Sequence, residues 1–256
     1  MITFMRLRFR RALSMLLVPV IAAACLGDAE PPVRVLFVGN SYTHLNDLPE
    51  MVRDLAASVD RRIEVGTRAP GGWWWRDHAS SSETTDVIAD GDWDYVVLQE
   101  QSMAPADRDL ARRASYPAAK LLSRAIVGNG AEVVLFLTWG HRNGSPELGH
   151  GNYSSMQVDL ADSYLAIAES VLAEVAPVGM AWWMALAERR DIDLYQADGS
   201  HPSRAGSYLA AAVVAAVVLD VDPETFDASL GLEDGTAEAL RGFAARAVSG
   251  EVPWEG

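Results

Sequence analysis

The chain has 256 residues, of which 50% are hydrophobic and 8% aromatic, and its formal net charge at pH 7 is −14. This length and composition predict one large globular domain with a sizeable core and argue against a disordered chain. The acidic balance argues against nucleic acid as a partner, because phosphate binding requires clustered cations.

The first 24 residues have the pattern of an export signal. Four arginines precede an apolar run that begins at Ala12, and a short alanine run comes just before Cys25, the only cysteine in the chain. The segment resembles a bacterial lipoprotein signal in which Cys25 carries the lipid; plain secretion and an uncleaved anchor are the alternatives. We expect an export signal over residues 1–24, a linker over residues 25–32, and a protein of the bacterial cell envelope, whether lipid-anchored, periplasmic or secreted.

From residue 33 onward, short apolar runs alternate with longer helical patterns. Strands are predicted over residues 33–38, 62–66, 95–99, 132–138 and 178–182, and helices over residues 46–60, 107–130 with an interruption at Pro117, 154–177, 204–220 and 231–250. Three of the strands are almost continuously apolar, which is typical of strands covered on both faces. The alternation predicts an α/β protein, a three-layer α/β/α sandwich around a central parallel sheet of about five strands, in one domain over residues 33–250.

Polar and glycine-rich segments follow four of these strands, and ligands of parallel α/β sheets bind beyond the carboxyl ends of strands. After the first strand comes Ser41, in a Gly-Asn-Ser turn. On its own, such a turn is also typical of a serine that caps a helix. A phosphate loop is excluded in its usual form because no Gly-Lys-Ser/Thr follows, and the elbow of α/β-hydrolases is excluded because Thr43 stands where it requires a glycine.

Near the other end of the chain, Asp198 and His201 are three residues apart across a glycine-containing turn, ahead of an alanine-rich helix. A carboxylate at this spacing can accept the imidazole Nδ1 proton, which leaves the other ring nitrogen facing outward as a base. A helix cap with a surface histidine is the alternative interpretation, and Pro202 fits a rigid helix entrance in both cases.

Together, the Gly-Asn-Ser turn and Asp198-x-x-His201 resemble the SGNH hydrolase superfamily, also called GDSL-type esterases and lipases, over about residues 34–220. The resemblance implies a flavodoxin-like SGNH hydrolase fold and ester hydrolysis, with Ser41 as nucleophile, His201 as base and Asp198 as the partner of the base. Asn40 stands where the commoner form of the motif has aspartate. The strings VVLQEQS and LTWG are similar to a less characterised branch of the superfamily.

The resemblance also implies an oxyanion hole made by the backbone N–H groups of Ser41 and Gly72, rather than its neighbour Gly71, and by a side-chain amide. The family has an asparagine after the third strand, whereas this chain has Gln99, with Gln101 nearby. A glutamine carries the same amide on one more methylene, so we expect Gln99 to be the donor and Gln101 to be the alternative. An amide that only ties strand-end loops together is the other interpretation of Gln99.

Three further side chains are candidates for substrate binding: His44, close to Ser41 in the chain, and Trp73 and Trp139, whose rings could line the site. A local hydrogen bond for His44 and core packing for the tryptophans are the alternatives. No cofactor is expected, and zinc is not expected at the remaining histidines, because no carboxylate stands at tight ligand spacing.

The sequence thus predicts an exported serine esterase that removes short-chain or acetyl groups from a small-molecule or carbohydrate ester and meets the membrane only through a lipid on Cys25. An acylated carbohydrate is favoured over a long-chain lipid, because no long exposed apolar segment suggests a lid. One alternative is a surface lipoprotein with an inert hydrolase fold that binds glycans through its tryptophans. The presence of Gln99, where the family has an asparagine after the third strand, favours this alternative. A nucleotide-binding module is disfavoured, because no Gly-x-Gly-x-x-Gly turn follows the first strand.

Overall fold

The computed structural model describes residues 31–252. The predicted export signal and Cys25 lie outside these residues. From Pro32 onward the described chain forms one compact unit.

Five parallel strands form the central sheet. They are β1 (Val33–Val38), β2 (Ile63–Arg68), β3 (Tyr95–Leu98), β4 (Glu132–Phe136) and β5 (Glu174–Ala176). Their order across the sheet is β2-β1-β3-β4-β5, and every neighbouring pair is parallel. The predicted α/β sandwich around a five-stranded parallel sheet is therefore confirmed.

Helices cover both faces of the sheet. They are α1 (Ser41–His44), α2 (Leu48–Ala57), α3 (Trp75–Ala79), α4 (Ser82–Asp90), α5 (Arg108–Leu110), α6 (Tyr116–Gly128), α7 (Tyr153–Val171), α8 (Val178–Glu188), α9 (Arg204–Leu219) and α10 (Asp234–Ser249). Helices α2, α8, α9 and α10 pack against one another in one layer, and α3, α4, α6 and α7 do so in the other. No helix within residues 31–252 is long and apolar enough to cross a bilayer.

The fifth strand lies earlier in the chain than predicted. Residues 178–182, expected to be a strand, open the 11-residue helix α8, and the edge strand is the three-residue β5 instead. The predicted helix over 154–177 correspondingly ends at Val171, where Leu172 adopts a left-handed conformation with φ 57°. A long apolar run that is buried all round does not distinguish a helix from a strand by periodicity, which explains the error.

The helix predicted to be interrupted at Pro117 is continuous at that residue. The π-helical segment Ala111–Ser115 precedes α6, and Pro117 falls in the first turn of α6. Proline fits there, because the first N–H groups of a helix have no intrahelical acceptor.

The order of strands places two of the polar segments side by side. Strand β1 lies between β2 and β3, and Val38 is paired with Leu98 at the carboxyl ends of their strands. The chain reverses its direction of strand addition between β1 and β3, which is the position where ligands bind in open α/β sheets. The Ser41 turn and Gln99 both emerge at this position.

Candidate active site

Ser41 is held at the carboxyl edge of the sheet by a tight turn. It is the first residue of α1, and the Asn40 side chain caps this helix by accepting a hydrogen bond from the Tyr42 N–H at 3.1 Å. A side chain at Gly39 would meet the Gln99 Oε1 atom at 2.6 Å. Only glycine therefore allows the turn to lie this close to the end of β3.

The Asp198–His201 turn is organised by the Asp198 carboxylate. Its Oδ1 atom accepts hydrogen bonds from the backbone N–H groups of Ser200 and His201, both at 3.0 Å, and its Oδ2 atom lies 2.5 Å from His201 Nδ1. The hydrogen bond to the His201 side chain, followed by those from the backbone, lowers the pKa of Asp198 to about 2. Gly199 enables the turn with a φ of +70°.

The two turns meet although 160 positions separate them in the chain. The Ser41 Oγ atom lies 3.0 Å from His201 Nε2. Because Nδ1 of the same ring faces Asp198, the nitrogen that faces Ser41 is the one free to take a proton. The structure thus brings Ser41, His201 and Asp198 together as one hydrogen-bonded chain, and a third of the His201 side chain remains exposed (34%).

Gly72 lies in an exposed turn beside the Ser41 turn. The Trp73 N–H donates to the Pro70 carbonyl at 3.3 Å, and Gly72 has a φ of +74°, a conformation that favours glycine. The Asn40 side chain links the two turns by donating from Nδ2 to the Trp73 carbonyl at 2.9 Å. Within residues 31–252, the backbone N–H groups of Ser41 and Gly72 have no acceptor.

The structure disagrees with the expectation that Gln99 donates to an oxyanion. Its side chain is buried, with 1% exposed, and its Oε1 atom accepts from the Asn40 N–H and from the Thr43 hydroxyl, both at 2.9 Å. A backbone N–H can only donate, so this contact fixes which end of the amide is oxygen, and Nε2 then donates to the Glu100 carbonyl. Gln99 ties loops together and leaves no surface for a substrate oxygen.

Gln101 keeps a free donor. Its Oε1 atom accepts from the N–H groups of Met103 and Ala104 at 2.8 and 3.1 Å, which holds the oxygen inward. Its Nε2 atom makes no hydrogen bond within the described chain. Of the two glutamines, only Gln101 therefore retains an amide group that could meet a ligand.

The expectation that Trp139 lines the site is also wrong. Its ring is fully buried (0% exposed) between Tyr42 and Trp182, with ring centroids 4.6 and 4.1 Å away and nearly parallel planes. Its Nε1 atom donates to the Ser200 carbonyl at 3.0 Å. Trp139 supports both the serine turn and the histidine turn from below.

The other two candidates for substrate binding keep surface at the site. His44 is exposed, and its Nδ1 donates to the Ala69 carbonyl at 2.7 Å. Trp73 is half-buried, with its ring edge-to-face against His78 at 5.0 Å and under the Arg68 guanidinium at 5.2 Å. The Trp73 ring is thus held in place directly after Gly72.

The remaining histidines are held by protein groups. His78 is buried and donates from Nε2 to the Gly39 carbonyl at 2.8 Å, and burial lowers the pKa of His78. His150 contacts the Asp159 carboxylate at 2.9 Å. His141 lies 3.3 Å from the Ser102 hydroxyl, and burial lowers the pKa of His141. No group of three potential metal ligands occurs in residues 31–252.

Comparison with known proteins gives the family. No family model matches the chain, and no curated protein matches it significantly. Among solved structures, a protein from Slackia heliotrinireducens provisionally assigned to the SGNH hydrolases is 33% identical, with 72% of this chain and 98% of that chain covered and a TM-score of 0.60. The chain belongs to the SGNH hydrolase superfamily.

Two solved structures of lower sequence identity share the fold of this SGNH hydrolase. A DUF4886 family protein from Bacteroides uniformis is 17% identical with a TM-score of 0.76, covering 87% of this chain and 97% of its own. Axe2, an acetylxylan esterase from Geobacillus stearothermophilus, is 17% identical with a TM-score of 0.57, covering 75% of this chain and 95% of its own. At this identity the likeness concerns the fold alone.

Two residues that the sequence analysis missed fasten the serine turn of this SGNH hydrolase to its histidine turn. The Tyr42 hydroxyl lies 2.5 Å from the Ser200 hydroxyl, and burial raises the pKa of Tyr42 to about 12, so it stays protonated. Asn46 donates from Nδ2 to the Pro202 and Ser203 carbonyls at 3.1 and 3.2 Å. Asn46 does so from a left-handed conformation with φ 57°, a signal that only coordinates reveal.

A third missed residue is Glu100, which is buried directly behind the site. Its Oε1 atom accepts from the N–H groups of Trp75 and Gln101, both at 2.8 Å. Burial outweighs these hydrogen bonds and raises the pKa of Glu100 to about 7. In the sequence, Glu100 stands in a polar run after a strand, which is typical of an exposed loop.

Proposed function

We propose that this SGNH hydrolase is a serine esterase that removes short acyl groups, acetyl above all, through an acyl-enzyme. The observation that carries the proposal is the hydrogen-bonded chain from Ser41 Oγ to His201 Nε2 at 3.0 Å and from His201 Nδ1 to Asp198 Oδ2 at 2.5 Å. A serine hydroxyl is a weak nucleophile at neutral pH and needs a base within hydrogen-bond reach. His201 is in reach, and its side chain is partly exposed.

In the first half of the reaction, Ser41 Oγ attacks the ester carbonyl carbon while its proton moves to His201 Nε2. The carbon–oxygen bond to the alcohol then breaks, and the alcohol leaves with the proton from His201. Asp198, charged at all pH values well above 2, holds the imidazole in the required tautomer and stabilises the imidazolium. A water molecule repeats the steps on the acyl-enzyme, releasing the carboxylic acid and restoring the Ser41 hydroxyl.

The carbonyl oxygen becomes negative in the tetrahedral intermediate and needs donors that are already in place. We assign this role to the backbone N–H groups of Ser41 and Gly72, which have no acceptor within residues 31–252. Gln101, with its free Nε2, replaces Gln99 as the side-chain donor in the proposal.

The substrate that we favour is an acylated carbohydrate. Support comes from Trp73, whose half-buried ring follows Gly72 and is held by His78 and Arg68, because aromatic faces stack on sugar rings. His44 at the same rim can contact the alcohol portion of the ester.

The test is labelling with a fluorophosphonate, which reacts covalently with activated serines. We expect wild-type protein to be labelled, and we expect Ser41→Ala and His201→Ala to lose both labelling and aryl acetate hydrolysis. The matched control is Ser102→Ala, which removes the neighbouring serine that also faces a histidine, His141 at 3.3 Å, and should still be labelled. Labelling that survives in Ser41→Ala would refute the proposal.

The alternative, a protein that binds glycans without hydrolysing esters, is separated by the same experiment. It requires wild-type protein to bind an oligosaccharide through Trp73 while showing neither labelling nor turnover. Export and lipid attachment at Cys25 belong to the proposal as well, and mass spectrometry of the membrane fraction of expressing cells tests them.

A further inference from the structure

We propose that Gln99 and Glu100, at the carboxyl end of β3, are positioning residues that together hold the two backbone segments carrying the Ser41 and Gly72 N–H groups. The inference rests on the proposed function, which assigns these N–H groups to the oxyanion. Gln99 then acts from behind the site as an acceptor of hydrogen bonds, instead of donating to the substrate as expected.

Gln99 holds the segment around Ser41. Its Oε1 atom accepts from the Asn40 N–H, immediately before Ser41, and from the Thr43 hydroxyl, two residues after Ser41. The absence of a side chain at Gly39 provides the space for this contact. The orientation of the Ser41 N–H is therefore fixed from both sides by one buried oxygen atom.

Glu100 holds the segment around Gly72. Its Oε1 atom accepts from the N–H of Trp75, the first residue of α3 and three residues after Gly72. The Asn40 side chain holds the same segment at the Trp73 carbonyl. The Gly72 turn is thus anchored through the residues that follow it, although Gly72 itself is exposed.

The side chains that hold the two segments are linked to each other. Gln99 and Glu100 are adjacent in the chain, and the Gln99 Nε2 atom donates to the Glu100 carbonyl. Both side chains are essentially inaccessible, with 1% and 0% exposed. Burying a carboxylate is costly, and well-packed apolar residues usually fill such positions at lower cost. A requirement for precise placement of the two N–H groups accounts for this polar pair.

The experiment compares Glu100→Leu and Gln99→Leu with Glu100→Gln, which keeps an acceptor oxygen without the charge. The control is Gln157→Leu: Gln157 is equally buried and binds the Gly140 N–H and the Thr138 carbonyl at 2.8 and 3.1 Å, away from the two segments. Active sites are counted by fluorophosphonate titration, so that losses of folded protein do not enter the kinetic constants. Each variant is assayed for kcat and KM with an aryl acetate and for inhibition by an aryl trifluoromethyl ketone.

We expect Gln99→Leu and Glu100→Leu to lose about 10-fold to 100-fold in kcat per titrated site. KM should change little, because displacing oxyanion donors acts on the transition state. Inhibition by the ketone, whose serine adduct carries an oxyanion, should weaken by a similar factor. Glu100→Gln should stay within about three-fold of wild type, and Gln157→Leu should lose stability without this loss of kcat.

Equal kcat per site in wild type, Gln99→Leu and Glu100→Leu would overturn the inference. A Glu100→Gln variant as impaired as Glu100→Leu would overturn it as well. If the leucine variants do not fold, Thr43→Val removes a single donor to Gln99, and an unchanged kcat there overturns the inference too. If wild type shows neither labelling nor turnover, the proposed function fails separately. Hydrogen exchange of residues 71–76 then tests the contact itself, and unchanged exchange in Glu100→Leu refutes it.

Discussion

Two carboxyl groups lie at this site, and their surroundings shift their pKa values in opposite directions. Asp198 is half exposed, and hydrogen bonds, first of all to His201, lower its pKa to about 2. Glu100 is buried behind β3, and burial raises its pKa to about 7. The exposed carboxylate serves as a fixed charge for the proposed chemistry, whereas the buried one serves through its oxygen as an acceptor for backbone groups.

Exposure therefore separates two kinds of polar residue around one reaction site. Substitution of the exposed group should act on the chemical step and leave the fold nearly intact. Substitution of the buried group should act on the geometry of the site and on stability, and its effect should depend on pH.

The largest effect is expected for Asp198→Asn. The amide cannot hold the imidazole in the required tautomer, so kcat should fall by about 10³-fold to 10⁴-fold, as in related triads. Aryl acetate hydrolysis between pH 6 and 9 measures it, with circular dichroism to confirm the fold. Asp193→Asn is the matched control, because Asp193 is an exposed carboxylate of the same segment that binds Arg142 at 2.7 Å instead of a histidine. A drop below ten-fold for Asp198→Asn would remove Asp198 from the mechanism.

A smaller effect, on stability, is expected for Glu100→Gln. Above pH 7 wild-type Glu100 is charged in both folded and unfolded protein, and burial of that charge lowers the free energy of unfolding. Below about pH 4.5 the group is neutral in both states and this penalty disappears. The difference in free energy of unfolding between the variant and wild type should therefore shift in favour of the variant, by about 3 kcal/mol at most, as the pH rises from 4.5 to above 7.

Urea denaturation at several pH values measures this shift. Because the variant and wild type share all other carboxylates, the effects of those groups on the free energy of unfolding cancel in the difference. Asp198 is one of them, and its contribution to stability is lost only as the pH falls from about 3.8 toward 2. A difference that stays constant with pH would mean that Glu100 does not titrate in this range.

The smallest effect is expected at Asn46. Asn46→Gly keeps the left-handed backbone but loses the hydrogen bonds to the Pro202 and Ser203 carbonyls, which should cost about 1 kcal/mol in the free energy of unfolding. Asn46→Asp should cost more, because a carboxylate cannot donate to carbonyl oxygens. The control is Asp47→Gly, at a neighbouring position with the same φ of 57° and no capping hydrogen bond from its side chain. Equal stabilities of the two glycine variants would show that the Asn46 side chain contributes nothing.

The parts of the molecule that the sequence predicts well are those set by local patterns. The strands β1 and β3 are almost continuous apolar runs, and Asp198 and His201 are near enough in the chain for their contact to follow from spacing alone. The pairing of Ser41 with His201 follows from the family resemblance, because no local pattern links residues 160 positions apart.

The parts that the sequence does not predict depend on burial and direction. Glu100 stands in a polar run that is typical of a loop, yet α3 and Tyr164 contact it. For Gln99, the direction of the side-chain amide is not encoded in its position in the sequence. The edge strand β5 has three residues, too short to show a period of two, so the sequence favours the longer apolar run of α8 as the strand. Trp139 follows a strand as a site residue would, but two aromatic neighbours enclose it.

The direction of β1 also determines which edge of the sheet carries the reactive serine. Pro32 enters the sheet at the amino end of β1, and Ser41 emerges beyond the other end, after six residues that span about 20 Å. The described chain therefore enters the sheet at the edge opposite to the one that carries its reactive hydroxyl, and the whole length of a strand separates the two.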